Sequence, residues 1–455
     1  MCRTQAKDHH AEGPLLVARP VPLSAPAGRP WPAGPPDEGP DDPPDEGSDV
    51  PPDGGPGTPP DGGPGTPPDA ARDPLPAGVG DARAVDRDVP AAVGRVLDHV
   101  LADRIARARA VDPLFGDDLA GRVARFTRAG GKRTRPRFVW WALRACGGGD
   151  GPTVAAALRI GAALELLQTC ALVHDDVMDD SALRRARPAL HTDVAAQYGG
   201  GTPSARAERL GRSAAILAGD LALAWADDLL AETPLTPRSA VAVRRLWADM
   251  RTEMVAGQYL DLHGQATDSR SLPRALRAAC LKSALYSVER PIALGAALAG
   301  ADDATTEALC SAGRCAGLAF QLRDDLDDVF GDPRHTGKPV GGDIREGKPT
   351  YLVAVARARA TAAGDRRALD VLDRSLGRGA LTRAGLEEVR EVLTGTGARG
   401  AVEARIGRLV ARGLRYADGV PLDPDGGRRL RLLLASAADG TVPPPDADGT
   451  EEAGR

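Results

Sequence analysis

Apolar residues recur at helical spacing along most of the chain. The run Val93–Leu101 shows the pattern first, and it continues almost without a strand-like alternation to about residue 438. Intervals of three and four residues place apolar side chains on one face of a helix. Stretches rich in Gly and Pro interrupt the pattern and predict connections between helices, at residues 147–152, 199–203, 234–237, 331–339 and 395–400. We therefore predict one all-α domain over residues 87–440.

Residues 1–86 have a different composition. Pro, Gly and Asp dominate, an eight-residue period is visible from residue 35, and residues 35–69 hold ten acidic residues and no Lys or Arg. Such a segment buries too little apolar surface to offset its ordering entropy, which predicts a disordered tail. It is either a passive solubilising tail or a tether recognised by a protein partner or larger assembly, with Pro14–Ala18 and Trp31 as contact points. Residues 441–455 are predicted to form a second, short disordered tail.

Composition narrows the functional classes. The 455 residues carry a net charge of −5, which gives no indication of nucleic-acid binding, and aromatic residues make up only 3%. The six cysteines are scattered without a CxxC pair, and no secretory signal opens the chain, which favours reduced thiols and a cytoplasmic location. No run of about 20 uninterrupted apolar residues predicts a membrane span.

One acidic cluster ends an apolar helical stretch at Leu172–Asp180. Asp175 and Asp179 are four residues apart and share a helix face, with Asp176 beside them. Like charges at this spacing repel by a few tenths of a kcal/mol. A divalent cation such as Mg²⁺, which prefers oxygen ligands and substrate phosphates, would reverse the sign of that interaction.

A second acidic cluster repeats the arrangement. Asp324 and Asp328 are again four residues apart, Asp325 and Gln321 accompany them, and an apolar stretch precedes them. One such cluster alone could be an exposed acidic helix turn. Two clusters on facing helices of a bundle favour a metal site built from inward carboxylates. We predict that the pair binds metal ions and a polyphosphate substrate.

Basic residues follow each acidic cluster or precede a helix start. The sequence Gly130–Pro136 places Lys132 and Arg135 beside two glycines at the predicted N-terminus of a helix, where backbone amides favour anions. Arg can grip a diphosphate in a bidentate manner. Further cations that would suit an anionic substrate are Arg184, Arg185, Lys282, Lys338 and Lys348.

These motifs, taken together and in order, resemble the trans-prenyltransferases, the all-helical isoprenyl diphosphate synthases. The resemblance covers most of residues 125–355, including Gly219-Asp220, Gly257–Asp261, Lys282-Ser283 and Gly337–Pro339. It implies a helical bundle around a central cavity, a homodimer, and condensation of isopentenyl diphosphate with an allylic diphosphate.

The resemblance also implies roles for individual residues. Three Mg²⁺ ions would be held by the aspartates of the two clusters: Asp175, Asp176, Asp179, Asp324, Asp325 and Asp328. The allylic diphosphate would be bound by Arg184, Lys282, Lys338 and Lys348. Ser283 and Gln321 would also bind substrate. Isopentenyl diphosphate would be bound by Lys132, Arg135, Gln168 and Arg185. Asp175, Asp179, Asp324, Lys282 and Arg184 would carry catalysis.

The chain departs from the family pattern at a few positions. Ala186 replaces the glycine usual after the paired arginines, Ser283 replaces the common threonine, and Gln168 stands where many relatives have His. None of these changes removes a charge from the site. A class I terpene cyclase and a non-catalytic scaffold remain as alternatives, although a cyclase would need an Asn/Ser/Glu motif in place of the second acidic cluster.

Product length is predicted from the helix that ends at Asp175. In the family, bulky aromatic residues four and five positions before the first Asp stop growth of the prenyl chain early. Here those positions are Ala171 and Cys170, both small, whereas Leu167 and Leu164 lie about 12 and 16 Å from Asp175. The C20 product geranylgeranyl diphosphate is the preferred prediction, with farnesyl or longer products as alternatives.

Overall fold

Helices form nearly all of the domain in the computed structural model, which describes residues 81–200, 204–267, 271–332, 340–377 and 381–439. The first half contains α1 (Ala82–Arg87), α2 (Val89–Val111), α3 (Pro113–Phe115), the π-helix π1 (Gly116–Ala120), α4 (Gly121–Arg128), α5 (Thr134–Ala145), α6 (Gly151–Met178), β1 (Leu183–Arg184), β2 (Arg187–Pro188), α7 (Leu190–Tyr198) and α8 (Ala205–Ala231). The all-α prediction is confirmed.

The second half continues with long helices and one long π-helix. It contains α9 (Pro237–Ala266), α10 (Leu272–Ala279), π2 (Cys280–Glu289), α11 (Arg290–Ala299), α12 (Asp303–Phe330), α13 (Gly342–Glu346), α14 (Tyr351–Ala363), α15 (Arg366–Ser375), α16 (Arg383–Gly395), α17 (Ala398–Asp418) and α18 (Pro424–Ala435). Each predicted connection, as far as its residues are described, falls between two of these helices or at the first or last residues of one. Residues 201–203 and 333–339 of two predicted connections lie outside the described residues.

The folded domain begins before residue 87. Asp81 caps α1 by accepting a hydrogen bond from the amide of Arg83, and Val85 is fully buried. The Asp86 carboxylate accepts a hydrogen bond of 2.9 Å from Trp140 Nε1. Residues 82–86, which we assigned to the tail, are therefore part of the domain. The rest of the predicted N-terminal tail and the predicted tail 441–455 lie outside the described residues.

The long helix α6 lies in the core. Leu164, Leu166 and Leu167 are fully buried. Within the described residues, α6 is the one helix long and apolar enough to cross a membrane, with a mean hydropathy of 1.5 over its most apolar window. Of that window 78% is buried inside the domain. Burial among neighbouring helices, as in a core helix, accounts for its apolar composition.

A two-stranded hairpin follows the first acidic cluster. Leu183 pairs with Pro188 and Arg184 pairs with Arg187, in antiparallel register. The two turn residues, Arg185 and Ala186, both have positive φ, of 53° and 58°. This is the turn geometry that matches the twist of a short hairpin. The sequence pattern did not indicate these strands, because each is only two residues long.

Candidate active site

Both acidic clusters lie at the C-terminal ends of long buried helices. The first occupies the end of α6 and the second the end of α12. A helix C-terminus carries partial negative charge, so carboxylates there are disfavoured and cations are favoured. The apolar stretches that precede the clusters are buried, as predicted. The arrangement therefore requires positive charge from elsewhere in the chain or from a ligand.

Asp175 is surrounded by cationic and amide groups from three other segments. Lys282 Nζ lies 3.2 Å from its Oδ1, Gln258 Nε2 donates to the same oxygen at 3.1 Å, and an Arg184 nitrogen lies 3.4 Å from its Oδ2. Burial raises the pKa of Asp175, but the charges of Lys282, Lys348 and Arg184 outweigh burial and hold the pKa below its usual value. Asp175 is therefore ionised at neutral pH.

The other two carboxylates of the first cluster have separate partners. Asp179 Oδ2 lies 2.9 Å from Lys348 Nζ. Asp176 is fully buried and accepts a 2.7 Å hydrogen bond from Arg184 Nε. Burial raises the pKa of both Asp176 and Asp179 above the usual value, although Arg184 and Lys348 oppose it. Arg184, predicted to bind substrate, is thus also the internal partner of Asp176.

The three aspartates of the second cluster differ in exposure and in hydrogen-bond partners. Asp324 is exposed, and no hydrogen bond from the described residues reaches it. Asp328 accepts hydrogen bonds from the amides of Gly342 and Asp343 at 3.2 and 3.1 Å. Asp325 is buried and bonded to Gln321 Nε2 at 2.8 Å, and burial raises its pKa to about 7. Asp324 is therefore the carboxylate most open to a ligand.

Lys282 reaches toward the first acidic cluster from another helix. Lys282 lies on π2 and also bonds Asp261 Oδ2 at 2.9 Å. A Cβ at Gly257 would lie 2.3 Å from the Lys282 amide nitrogen, so only glycine lets α9 and π2 approach this closely. Extended π-helices are rare and occur frequently at functional sites. The π2 segment therefore sets the position from which Lys282 reaches Asp175.

Lys348 connects the first cluster with α13. Its Nζ lies 2.7 Å from Glu346 and 3.8 Å from Asp343, in addition to Asp179. Burial lowers the pKa of Lys348, but these three carboxylates outweigh it and raise the pKa above its usual value. Asp343 is half-buried beside Asp328, and desolvation and that neighbour raise its pKa well above the usual range.

The residues predicted to bind the second substrate lie around the start of α5. Arg135 donates to Ser287 Oγ at 2.8 Å, and its guanidinium stacks 4.3 Å above the Tyr286 ring. Arg185 donates to the Ala129 carbonyl at 3.1 Å. Lys132 is exposed. The structure therefore places these three cations near one loop, between α4 and α5.

The remaining predicted site residues divide into three cases. Gln168 lies on α6, and its Oε1 is buried with no hydrogen-bond partner in the part of the chain that the structure describes. Ser283 is half-buried on π2 beside Lys282. Lys338 lies outside the described residues. His174 Nε2 contacts the Ile216 carbonyl at 3.1 Å, consistent with a structural role.

Several residues of this site were missed as site residues in the sequence. They are Arg133, Glu165, Gln258, Asp261, Tyr286, Ser287, Asp343 and Glu346. Gln258 and Asp261 stand within the Gly257–Asp261 motif already noted, so their motif positions were a usable signal. Glu346 and Ser287 gave no signal, because each acts through a residue distant in sequence.

The donor set suits Mg²⁺, since it consists of carboxylate oxygens beside lysines and arginines that fit phosphates. Among the described residues, no three acidic, His or Cys side chains converge into a preformed metal cage. Asp175 and Asp179 instead face ammonium groups. The arrangement is therefore able to bind a polyanion through cations, and to bind metal by exchanging lysine contacts for metal contacts.

Comparison with known proteins decides the family. The family model of polyprenyl synthetases matches residues 118–387, more than half of the chain. The chain belongs to the polyprenyl synthetase family. This polyprenyl synthetase is therefore a prenyl diphosphate synthase, a transferase, and the terpene cyclase and scaffold alternatives lose their support.

Two relatives and one solved structure illustrate the similarity. The polyprenyl synthetase is 30% identical to geranylfarnesyl diphosphate synthase of Aeropyrum pernix over 74% of this chain and 97% of the relative. It is 39% identical to geranylgeranyl diphosphate synthase of Mycobacterium tuberculosis over 54% and 65%, respectively. It is similar to the crystal structure of geranylgeranyl pyrophosphate synthase from Corynebacterium glutamicum complexed with isoprenyl diphosphate and magnesium, with a TM-score of 0.73 and 34% identity over 78% of this chain and 99% of that one. The relatives' names differ in product length.

Proposed function

We propose that this polyprenyl synthetase condenses isopentenyl diphosphate with an allylic diphosphate and releases geranylgeranyl diphosphate, C20, as its main product. The proposed C20 length of the product rests on the small side chain of Ala171. This residue is half-buried and lies one helical turn before Asp175. Cys170 is buried with its Sγ 3.8 Å from His174 Nδ1. Ala171 is therefore the position at which a larger side chain would shorten the space for the growing prenyl chain.

The proposed chemistry uses the two groups of cations separately. Arg184, Lys282 and Lys348 neutralise the allylic diphosphate, whose C–O bond breaks to give an allylic cation and pyrophosphate. The double bond of isopentenyl diphosphate then attacks C1 of that cation. A proton leaves the neighbouring carbon for the departing pyrophosphate, which closes the new double bond. A protein base is not required.

Magnesium is the metal that the donor set supports. Asp175, Asp179, Asp324 and Asp328 are the residues that would hold it, three ions per site, while the buried Asp176 and Asp325 support them through Arg184 and Gln321. When bound, the metal supplies positive charge to the leaving diphosphate, worth several kcal/mol. Metal at Asp175 and Asp179 would replace their contacts with Lys282 and Lys348, which would leave both lysines able to bind the substrate.

Isopentenyl diphosphate binds at the loop between α4 and α5. Lys132, Arg135 and Arg185 surround this loop, and Arg can bind phosphate through two parallel hydrogen bonds. Gln168, whose Oε1 has no hydrogen-bond partner among the described residues, lies on the same helix as Asp175, two turns earlier. Two groups of cations, one at the first acidic cluster and one at the loop before α5, fit a condensing enzyme with two diphosphate substrates better than an enzyme with a single prenyl substrate.

The test is analysis of the products. The protein is incubated with Mg²⁺, isopentenyl diphosphate and, separately, dimethylallyl, geranyl and farnesyl diphosphate, and the alcohols are resolved after phosphatase treatment. A C20 alcohol from each allylic substrate is the expected result. A C15, C25 or longer alcohol keeps the condensation and overturns the chain length. No consumption of isopentenyl diphosphate overturns the reaction.

Three further expectations stay predictions. First, the chain is expected to pair with a second copy of itself. Second, it is expected to lie in the cytoplasm. Third, a protein partner is expected for the N-terminal segment. Exposed apolar side chains on α8 and α9, among them Leu217, Val241 and Val255, support the first. The measurement that tests it is the mass of the full chain in solution by light scattering.

A further inference from the structure

A buried ion pair lies directly beneath the loop that carries Lys132. Arg133 Nη1 lies 3.2 Å from Glu165 Oε2, and the two side chains are only 10% and 7% exposed. A Cβ at Gly130 would lie 3.3 Å from Glu165 Oε2 and 3.4 Å from Arg133 Cζ. The loop therefore crosses immediately over the pair, and residue 130 leaves little room for a side chain.

Arg133 has a backbone conformation that a residue with a side chain rarely adopts. Its φ and ψ are both 45°, in the left-handed region, and it is the last residue before α5. The left-handed region strains any residue that has a Cβ, and such strain persists where surrounding contacts determine it. The ion pair with Glu165 is the side-chain contact that the structure shows for Arg133 in this conformation.

Glu165 faces more than one of the cations near the loop. Burial raises the pKa of Glu165 above its usual value, and the charges of Arg133, Arg135 and Arg185 oppose that rise. Two of these arginines belong to the proposed subsite for isopentenyl diphosphate. A buried carboxylate among them offsets their mutual repulsion. Gln168 follows Glu165 by three residues on α6 and therefore lies on the same helix face.

We infer that Glu165 is a positioning residue for the isopentenyl diphosphate subsite, an inference that rests on the proposed function. Glu165 does not bind the diphosphate itself. It anchors Arg133, and the left-handed turn at Arg133 fixes where Lys132, just before it, and Arg135, two residues after it, present their charges. Glu165 and Arg133 thus shape the subsite without contacting the reacting atoms.

The test compares binding with turnover for Glu165→Gln. Isopentenyl diphosphate alone is titrated into the full chain by calorimetry, and KM is measured for each substrate. The expected result is an affinity for isopentenyl diphosphate lowered about tenfold, in the range of couplings between contacting residues, with KM for the allylic substrate changed less than about twofold. Unchanged affinity, or an equal loss for both substrates, overturns the inference.

Substitutions at Arg133 test the backbone role and cover the case in which Glu165→Gln does not fold. Arg133→Gly and Arg133→Ala both remove the ion pair, but only glycine adopts positive φ without strain. Arg133→Gly is therefore expected to bind isopentenyl diphosphate more tightly than Arg133→Ala. Adding Glu165→Gln to Arg133→Gly should cause a smaller loss of affinity than Glu165→Gln causes in the wild-type chain. Equal affinity of the two Arg133 variants contradicts the positioning role.

Glu232→Gln is the matched control. It removes the carboxylate that lies 2.7 Å from the buried Arg104, outside the site, and should leave both substrates unaffected. If wild-type protein neither binds nor consumes isopentenyl diphosphate, the proposed function fails and this inference fails with it. If wild-type protein is active and Glu165→Gln matches it, the inference alone is overturned.

Discussion

Lys348 Nζ lies 2.9 Å from Asp179 Oδ2, a contact between residues 169 positions apart. The same ammonium lies 2.7 Å from Glu346 and 3.8 Å from Asp343, and the amide of Asp343 donates to Asp328. One cation thus links the end of the first acidic helix to the segment that packs beside the second. The two helix ends carry negative charge, so this link offsets the repulsion between them.

Replacing Lys348 with Met should lower kcat/KM for the allylic substrate by about 10²- to 10³-fold, the effect of removing one stabilising group from a catalytic site. It leaves Asp179 and Glu346 without their cation, so Tm should fall as well. Steady-state kinetics and calorimetry measure the two effects. Lys348→Arg keeps the charge and should recover most of the Tm. A Lys348→Met enzyme with wild-type kcat/KM would contradict the role given to Lys348.

Asp324→Asn should separate catalysis from stability. Asp324 is exposed and has no hydrogen bond from the described residues, so its loss should change Tm by less than about 1 °C, as is usual for surface substitutions. Activity should fall at least about 100-fold if this carboxylate holds metal. The control is Glu391→Gln, an exposed acidic residue of α16, which should leave both unchanged. Full activity of Asp324→Asn at limiting Mg²⁺ would remove Asp324 from the metal ligands.

Ala186→Gly should stabilise the protein. Ala186 has a φ of 58°, which costs a residue with a Cβ about 1–2 kcal/mol, whereas the added backbone entropy of glycine costs about 0.5–1 kcal/mol. The net gain should be about 0.5–1 kcal/mol in the free energy of unfolding, measured by urea denaturation. Ala182→Gly, at a position without positive φ, should destabilise instead. A loss of stability in Ala186→Gly would show that the turn relaxes.

His191 should make the stability depend on pH. Burial lowers the pKa of His191 below its usual value, and its Nδ1 is buried without a hydrogen-bond partner among the described residues. The unfolded chain protonates the His191 imidazole more readily than the folded chain does. The contribution of neutral His191 to the free energy of unfolding is therefore complete above about pH 6.5 and decreases as the pH falls below it. Calorimetry from about pH 7 to about pH 5 should show a smaller loss of Tm in His191→Asn than in wild type. Equal slopes would contradict this assignment.

The helices and both acidic clusters were predictable because they depend on local periodicity. Apolar residues at helical spacing indicated α6 and α12, and the i,i+4 aspartates at their ends followed from that. The contacts that complete the site were not predictable in this way. In the sequence, Glu165 is a single polar residue within an apolar helical stretch, which does not indicate a partner. Its contact with Arg133 arises only in the folded chain. The positive φ of Arg133 likewise results from tertiary contacts, which local sequence does not contain.

Product length is the last property that the sequence motifs left open, and Ala171→Phe tests it. Ala171 and Asp175 share a face of α6 and lie about 6 Å apart along the helix axis. A phenyl ring at position 171 should occupy the space next to the diphosphate site and shift the main product by at least one C5 unit, from C20 toward C15. Chromatography of the dephosphorylated products measures the shift.

The control for the added ring is Ala411→Phe on the exposed face of α17, which should leave product length unchanged. Consumption of isopentenyl diphosphate per protein should persist in Ala171→Phe, because the ring lies beyond the reacting carbon. An unchanged C20 product would place the growing chain along another helix. Loss of all activity with an unchanged Tm would mean that Ala171 borders the reacting carbons instead of the prenyl tail. The direction of the shift therefore tests where on α6 the prenyl chain lies.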